Sequence, residues 1–196
     1  MNSLDRLRRL KDHLALSKVR HEEQLLLQPT LKDAHVYCVL ANLSAQQYGP
    51  LLEKYIIQKF NYTKNSASDC VGDCSKGGEN VEVKASLGGS EHKKFNYVQI
   101  RPQQNVSSYL LTAYHLTPEN VEAEGDLYVF RVPKLHMKEL LVRHGGYAHG
   151  TLKEHGKITA ESMEDPKSIR EYALRPTYND ACWKSLLPYR IEESSL

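Results

Sequence analysis

The chain has 196 residues, of which 40% are hydrophobic and 26% charged, and its formal net charge is +2. This length suits one domain, and the composition excludes disordered and fibrous classes. No apolar run approaches the ~20 residues that cross a bilayer, and the start of the sequence lacks the apolar segment of a secretory signal. We therefore expect a cytoplasmic protein that makes no membrane contact.

The first predicted element is a helical arm at residues 1–28. Leucines recur at steps of three and four residues with arginine and lysine between them, a pattern typical of an amphipathic helix. These leucines are Leu4, Leu7, Leu10 and Leu14. The apolar face predicts packing on the core or on a partner subunit. A basic arm that contacts phosphates is the alternative.

A second helical region is predicted over residues 33–60. An apolar stripe runs along its later half, from Tyr48 to Phe60. The Gly49-Pro50 pair predicts a kink or a new start, because proline lacks the N–H of a helix interior. Glu53 lies off the apolar stripe, in the first turn after this break.

The rest of the chain alternates between strand and helix patterns. Residues 106–116 fit a helix or a buried strand equally well, and Pro133 and Gly145 bracket a helix. Residues 145–159 resemble an irregular loop, and a last helical pattern begins near residue 179. The predicted strands are 71–74, 81–87, 95–101 and 126–132. This order predicts one α/β (α+β) domain over residues 1–196, with a central mixed sheet flanked by helices.

The hairpin around the sequence SKGG brings charged residues together. A turn over residues 76–79 places Asp73 opposite Glu82, and strand alternation places Glu82 and Lys84 on one sheet face. Asp69 shares the strand parity of Asp73 and would lie further along the same face. An exposed hairpin with incidental charges is the alternative interpretation.

Two opposed carboxylates repel each other unless a cation lies between them. Mg²⁺ prefers carboxylate and carbonyl oxygens, so Asp73, Glu82 and the carbonyl of Val83 are the candidate metal ligands. Lys84 would orient or help deprotonate a water, or stabilise charge on a phosphate. These groups indicate phosphodiester hydrolysis.

The four cysteines are interpreted as free thiols. They are Cys38, Cys70, Cys74 and Cys182. Their spacing matches no zinc pattern, and cytosolic thiols stay reduced.

The segment GDCSKGGENVEVKAS resembles the catalytic hairpin of the PD-(D/E)XK nuclease superfamily, and specifically that of type II restriction endonucleases. Asp73, Glu82 and Lys84 stand at the positions of its Asp and E-x-K residues, and Gly72 stands where some members have proline. The resemblance implies a restriction-endonuclease-like core and Mg²⁺-dependent cleavage. It also implies an accessory acidic residue, for which Glu53 is the candidate. Asp69 remains the alternative to Asp73.

Restriction enzymes of this size commonly act as homodimers on double-stranded DNA. The resemblance therefore also implies a homodimer and a functional pairing with a cognate DNA methyltransferase, in the cytoplasm of a prokaryotic cell.

Two segments are candidates for DNA contact. Gln99 and Arg101 share strand parity near the predicted site, and arginine and glutamine can read guanine and adenine. The segment HGGYAHGTLKEHGK, at the start of the predicted C-terminal DNA-contact region 145–196, combines glycines with hydrogen-bond donors. A flexible loop with incidental histidines remains the alternative. The candidate DNA contacts are Gln99, Arg101, Gln103, Gln104, Tyr147, His149, Thr151 and Lys153.

The sequence thus predicts a type II site-specific deoxyribonuclease that cuts double-stranded DNA at a short sequence. One alternative is a repair or junction-resolving nuclease of the same superfamily. The other is a DNA-binding protein without catalysis.

Overall fold

The structure is a computed structural model that describes residues 44–66, 68, 71–88, 94–115, 126–164 and 170–192. The predicted arm at residues 1–28 lies outside the described residues. So do Asp69, Cys38 and Cys70, which leaves their predictions open.

Helix α1 (Ala45–Lys59) begins earlier than the Gly49-Pro50 pair suggested. The side chain of Gln47 accepts a hydrogen bond from the backbone N–H of Ser44 at 3.0 Å, which caps the helix start. Pro50 lies inside this helix, so the predicted new start at the Gly49-Pro50 pair is wrong. Residues 33–43 of the predicted helical region lie outside the described residues. The predicted stripe is the packing face, with Leu52 and Ile56 fully buried.

In the described part of the chain, the central sheet has six strands: β1 (Thr63–Lys64), β2 (Cys74–Lys76), β3 (Glu79–Gly88), β5 (Ser108–His115), β6 (Asp126–Pro133) and β9 (Arg190–Ile191). Their order across the sheet is β1-β2-β3-β5-β6-β9. β3 and β5 pair in parallel, and the other neighbouring strands pair antiparallel. The predicted mixed central sheet is therefore confirmed at the level of an α/β (α+β) fold.

Strand β5 lies in the middle of this sheet and is buried on both faces. Leu110 and Tyr114 belong to the core beneath α1, whereas Tyr109 and Leu111 belong to the core on the opposite face. A strand covered on both faces has no polar side, which explains why periodicity did not separate helix from strand over residues 106–116.

The β2–β3 hairpin turns at Gly77 and Gly78, whose φ angles are 60° and 81°. Two consecutive positive φ values define the two-residue turn that glycine favours. Cys74 pairs with Val81 and Ser75 with Asn80, the register that the predicted turn over residues 76–79 requires. β2 begins only at Cys74, so the predicted strand 71–74 is shifted toward the turn.

Helix α2 (Lys134–His144) follows Pro133 directly and ends at Gly145, as predicted. Met137, Leu140 and Leu141 of α2 are buried in the core that faces away from α1. Trp183 lies in the same core and stacks on Phe95 at a centroid distance of 5.1 Å.

The segment predicted as an irregular loop contains regular structure. β7 (Gly146–Tyr147) joins β4 (Tyr97–Ile100) and β8 (Tyr172–Leu174) in a second sheet of order β4-β8-β7. The other helices of the described residues are α3 (Leu152–His155), α4 (Ala160–Glu164) and α5 (Ala181–Leu186), and a 3₁₀ turn (Leu187–Tyr189) follows α5. Asp180 accepts a hydrogen bond from the Trp183 N–H at 2.7 Å and starts the predicted C-terminal helix.

Among the described residues, none of the helices has the length and apolar character needed to cross a membrane.

Candidate active site

Glu82 and Lys84 form an ion pair on one face of β3. The Lys84 Nζ lies 2.6 Å from Glu82 Oε1, and the side chains of Lys84 and Glu82 are only 18% and 7% exposed. Glu82 pairs with Tyr109 of β5, so the two charged side chains lie on the face turned away from α1. Strand alternation thus placed these two residues together as the sequence predicted.

Asp73 is a neighbour of Glu82, but the two residues do not form the predicted cross-strand pair. Its backbone N–H donates to the carbonyl of Val81 at 2.9 Å, and the ladder ends at Cys74. Its Oδ2 accepts a hydrogen bond from the backbone N–H of Val83 at 2.7 Å. The Asp73 carboxylate therefore takes the place of the next backbone partner along the edge of β3.

Gly72 explains this departure from a regular ladder. Its φ is +91°, and an added Cβ would lie 2.8 Å from both the Val81 carbonyl oxygen and a Val106 methyl group. Proline cannot adopt this φ. Glycine at this position is therefore a steric requirement, because it turns the chain so that Asp73 faces β3.

Asp73 lies among like charges in a partly buried setting. Burial and the neighbouring Glu82 carboxylate raise the pKa of Asp73 from 3.8 to about 6. The carboxylate of Glu53 also raises this pKa, whereas the Val83 N–H and Lys84 lower it. Like charges in such a site favour either a proton or a metal ion.

The carbonyl of Val83 points to the same edge as the Asp73 carboxylate. In a strand, the N–H and C=O of one residue point to the same side, and the Val83 N–H points toward Asp73. The backbone oxygen that the sequence singled out is therefore on the side of the acidic residues.

Glu53 approaches this edge from α1. Its Oε1 forms an ion pair with Lys64 Nζ at 3.3 Å, and the Lys64 side chain is 62% exposed. A cavity of about 270 Å³ opens beside Glu53, and Lys84 and Gln99 also line it. The predicted accessory acid thus faces an open cavity next to the lysine.

These residues fit Mg²⁺ chemically. The ion commonly uses one or two carboxylates and keeps several waters. Asp73 and Glu82 supply two carboxylates, and the Val83 carbonyl lies on their side of β3. Burial and, after it, the Glu82 carboxylate raise the pKa of Asp73. In the described part of the chain, no group of three or more His, Cys, Asp or Glu side chains is arranged for a metal ion. With two carboxylates as ligands, the Val83 carbonyl and waters would complete the coordination.

Gln103 and Gln104, both predicted to contact DNA, have internal partners. Gln103 Nε2 donates to the Met163 carbonyl at 2.8 Å. Gln104 Nε2 donates to Glu82 Oε2 at 2.7 Å, which places Gln104 beside the proposed metal-binding carboxylate. The sequence did not predict this contact, because Gln104 and Glu82 are 22 positions apart in the chain.

Gln99 and Arg101 are both exposed, but they have different neighbours. Gln99 has a φ of 56° and interrupts the alternation of β4. It lines the cavity beside Lys84, whereas the guanidinium of Arg101 binds Glu171 Oε1 at 2.5 and 2.8 Å.

Glu171 is a charged residue that the sequence reasoning missed. Its second oxygen lies 3.6 Å from His149 Nε2, so it faces two of the predicted DNA contacts, Arg101 and His149. His149 is 84% exposed at this position. No local signal marks Glu171, because its partners come from the residue after β4 and from the segment after β7.

The remaining predicted DNA contacts differ in exposure. Tyr147 is only 4% exposed and donates to the carbonyls of His155 and Gly156. Thr151 is exposed and caps α3, and Lys153 is exposed on that helix. Lys153 and Thr151 are thus accessible to a ligand, whereas Tyr147 packs in the core.

Cys74 and Cys182 are free and buried, as expected. Burial raises the pKa of the Cys74 thiol to about 12, and the neighbouring Asp73 adds to the shift. Cys74 is therefore a neutral core residue beside Asp73.

No model of a known protein family matches this sequence, and no curated protein is significantly similar to it.

Proposed function

We propose that this chain is a Mg²⁺-dependent type II restriction endonuclease that hydrolyses phosphodiester bonds of double-stranded DNA. The observation that carries the proposal is the buried Lys84–Glu82 pair, with a contact of 2.6 Å, beside an Asp73 carboxylate held on the same strand edge. An acid pair and a lysine with limited solvent access are the groups that this hydrolysis requires.

Each residue has a defined role in the proposed reaction. Asp73, Glu82 and the Val83 carbonyl would hold Mg²⁺, which supplies a Lewis acid and lowers the pKa of a bound water. Lys84 lies beside Glu82 and would orient the attacking water or stabilise negative charge on the phosphate. Glu53 and Gln99 line the adjoining cavity, where the substrate backbone would approach.

The proposed DNA-contact surface comprises Gln99, Arg101, His149, Thr151 and Lys153. Arg101 is 48% exposed and His149 is 84% exposed, so both remain accessible beside Glu171. Phosphate contacts position a protein on DNA, whereas contacts with base edges select the sequence. Arg101 is our candidate for base contact, because arginine matches guanine with two parallel hydrogen bonds.

The finer assignment to restriction rests on the hairpin resemblance. The same resemblance leads us to expect a homodimer, a short recognition sequence, 5′-phosphate ends and a cognate methyltransferase.

Incubation of the purified chain with a plasmid library and Mg²⁺, followed by sequencing of the ends, tests this proposal. A restriction enzyme yields discrete fragments that share one sequence at every end. Glu82→Ala should abolish cutting, and Lys84→Ala should slow it by at least about 10²-fold. Cutting at the parental rate by either variant would refute the assigned site.

Two further measurements, cleavage of branched or damaged DNA and DNA binding with and without Mg²⁺ or Ca²⁺, separate the two rival functions. Cutting that requires a branched or damaged substrate indicates a junction-resolving or repair nuclease. DNA binding that Mg²⁺ and Ca²⁺ leave unchanged, without any cleavage, indicates a non-catalytic DNA-binding protein.

A further inference from the structure

Gln104 contacts Glu82 from a separate part of the fold. Its Nε2 lies 2.7 Å from Glu82 Oε2, while Lys84 binds the other carboxylate oxygen at 2.6 Å. Each oxygen of Glu82 therefore has one donor, and the two donors come from different elements. Lys84 lies on β3, whereas Gln104 lies in the loop that precedes β5.

The loop around Gln104 is itself held in place. The backbone carbonyl of Gln104 accepts hydrogen bonds from Lys134 Nζ at 2.6 Å and from the Val106 N–H at 2.9 Å. Its backbone N–H donates to the Arg101 carbonyl at 3.0 Å. A side chain that projects from such a loop has a defined direction.

The orientation of the Gln104 amide is set by Glu82. The amide oxygen Oε1 is buried and has no hydrogen-bond partner among the described residues. Reversing the amide would place this oxygen against the Glu82 carboxylate, where two acceptors repel. A buried acceptor without a donor is rare in folded proteins, so the unpaired Oε1 is unfavourable. The amide keeps this orientation because its Nε2 group donates to the Glu82 carboxylate.

We propose that Gln104 is a positioning residue for Glu82, which it orients for divalent-cation binding, and that it does not read bases. This inference rests on the proposed function, since it needs a cation at Asp73 and Glu82. A carboxylate oxygen that accepts one hydrogen bond keeps a second lone pair for a metal ion. Fixing the plane of the carboxylate therefore prepares it for the ion without blocking it.

The test measures Mn²⁺ binding to the full chain without DNA, by titration calorimetry. Gln104→Met keeps the length of the side chain but removes the donor, and Gln104→Ala is a second variant. Gln103→Met is the matched control, because Gln103 donates to Met163 instead. Circular dichroism checks that each variant is folded.

Loss of the Gln104 donor should weaken Mn²⁺ binding by about 10- to 100-fold, the usual cost of losing a partner behind a metal ligand. The Gln103 variant should bind like the parent. Parental Mn²⁺ affinity in a folded Gln104 variant overturns the inference, and a changed cleavage sequence in that variant would assign Gln104 to base reading. If the parent binds no Mn²⁺ and cuts no DNA, the proposed function itself fails.

Discussion

The Asp73 carboxylate accepts a hydrogen bond from the backbone N–H of Val83 at 2.7 Å. This contact replaces a strand-to-strand bond at the point where β2 stops and β3 continues. It brings Asp73 beside Glu82 in a partly buried setting, where the charge of one carboxylate acts directly on the other.

Asp73 should make the metal-free protein less stable as the pH rises from about 4 to about 6. Its folded pKa is about 6 against 3.8 for an ordinary aspartate, so the folded state holds a proton that the unfolded state has released. Stability falls with pH wherever the folded state binds more protons. Because the group is partly exposed, we expect a change on the order of 1–2 kcal/mol.

Urea unfolding in EDTA, repeated at several pH values, measures this effect. Asp73→Asn should remove this pH dependence, unfold at higher urea than the parent at pH 8, and abolish DNA cleavage. A variant with the parental slope between pH 4 and 6 would show that another group is responsible.

Lys84→Met should impair both stability and cleavage. Removing one partner of a buried ion pair leaves the other charge uncompensated, at a cost of about 3 kcal/mol. Losing a charge that acts on the transition state should slow cleavage by about 10²- to 10³-fold. The control is Lys138→Met. Lys138 is 22% exposed, close to the 18% of Lys84, but its partner Glu164, at 3.1 Å, is 66% exposed whereas Glu82 is 7% exposed.

For Lys138→Met we expect a loss of at most about 1 kcal/mol and parental cleavage, because exposed pairs contribute little. Urea unfolding and single-turnover cleavage measure the two effects. Equal losses of stability in both lysine variants would contradict the buried pair.

Gly72→Ala should destabilise the protein and disturb the site. The new Cβ would lie 2.8 Å from a backbone oxygen, at a φ of +91°, so the chain before Asp73 must move. We expect a loss of more than about 2 kcal/mol together with reduced metal affinity. Thermal unfolding and Mn²⁺ titration test both effects.

Gly77→Ala is the matched control for backbone strain, because Gly77 also has a positive φ, of +60°, but an added Cβ there would meet no atom within 4 Å. It should cost about 1 kcal/mol and leave Mn²⁺ binding unchanged. If the two alanine variants behave alike, the steric role of Gly72 is refuted.

Glu171→Gln should strengthen non-specific DNA binding. The Glu171 carboxylate pairs with Arg101 and lies near His149, so its neutralisation frees positive charge for phosphates. Each added phosphate contact increases the salt dependence, and the slope of log affinity against log salt should steepen by about 1. Binding of random-sequence DNA with Ca²⁺, measured over a salt series, tests this.

The control is Glu192→Gln, which removes the same charge near Arg190, where the ion-pair distance is 3.9 Å. Its salt slope should match that of the parent. If Glu192→Gln steepens the slope as much as Glu171→Gln does, net charge alone explains the result.

The sequence by itself determined the features that depend on local geometry. Two glycines set the hairpin turn and its register, and strand alternation placed Glu82 and Lys84 on one face. Pro133 and Gly145 bounded α2, because proline and glycine act on their own backbone. The mixed sheet followed from the order of these local patterns.

Only the tertiary structure decided which distant groups meet. The turn at Gly72 moved Asp73 off the ladder, Gln104 crossed to Glu82, and Glu171 paired with Arg101. These contacts depend on how separate segments pack, and residue type alone does not encode their partners. The same reason explains Tyr147, whose hydrogen-bonding group suggested DNA but whose ring fills the core.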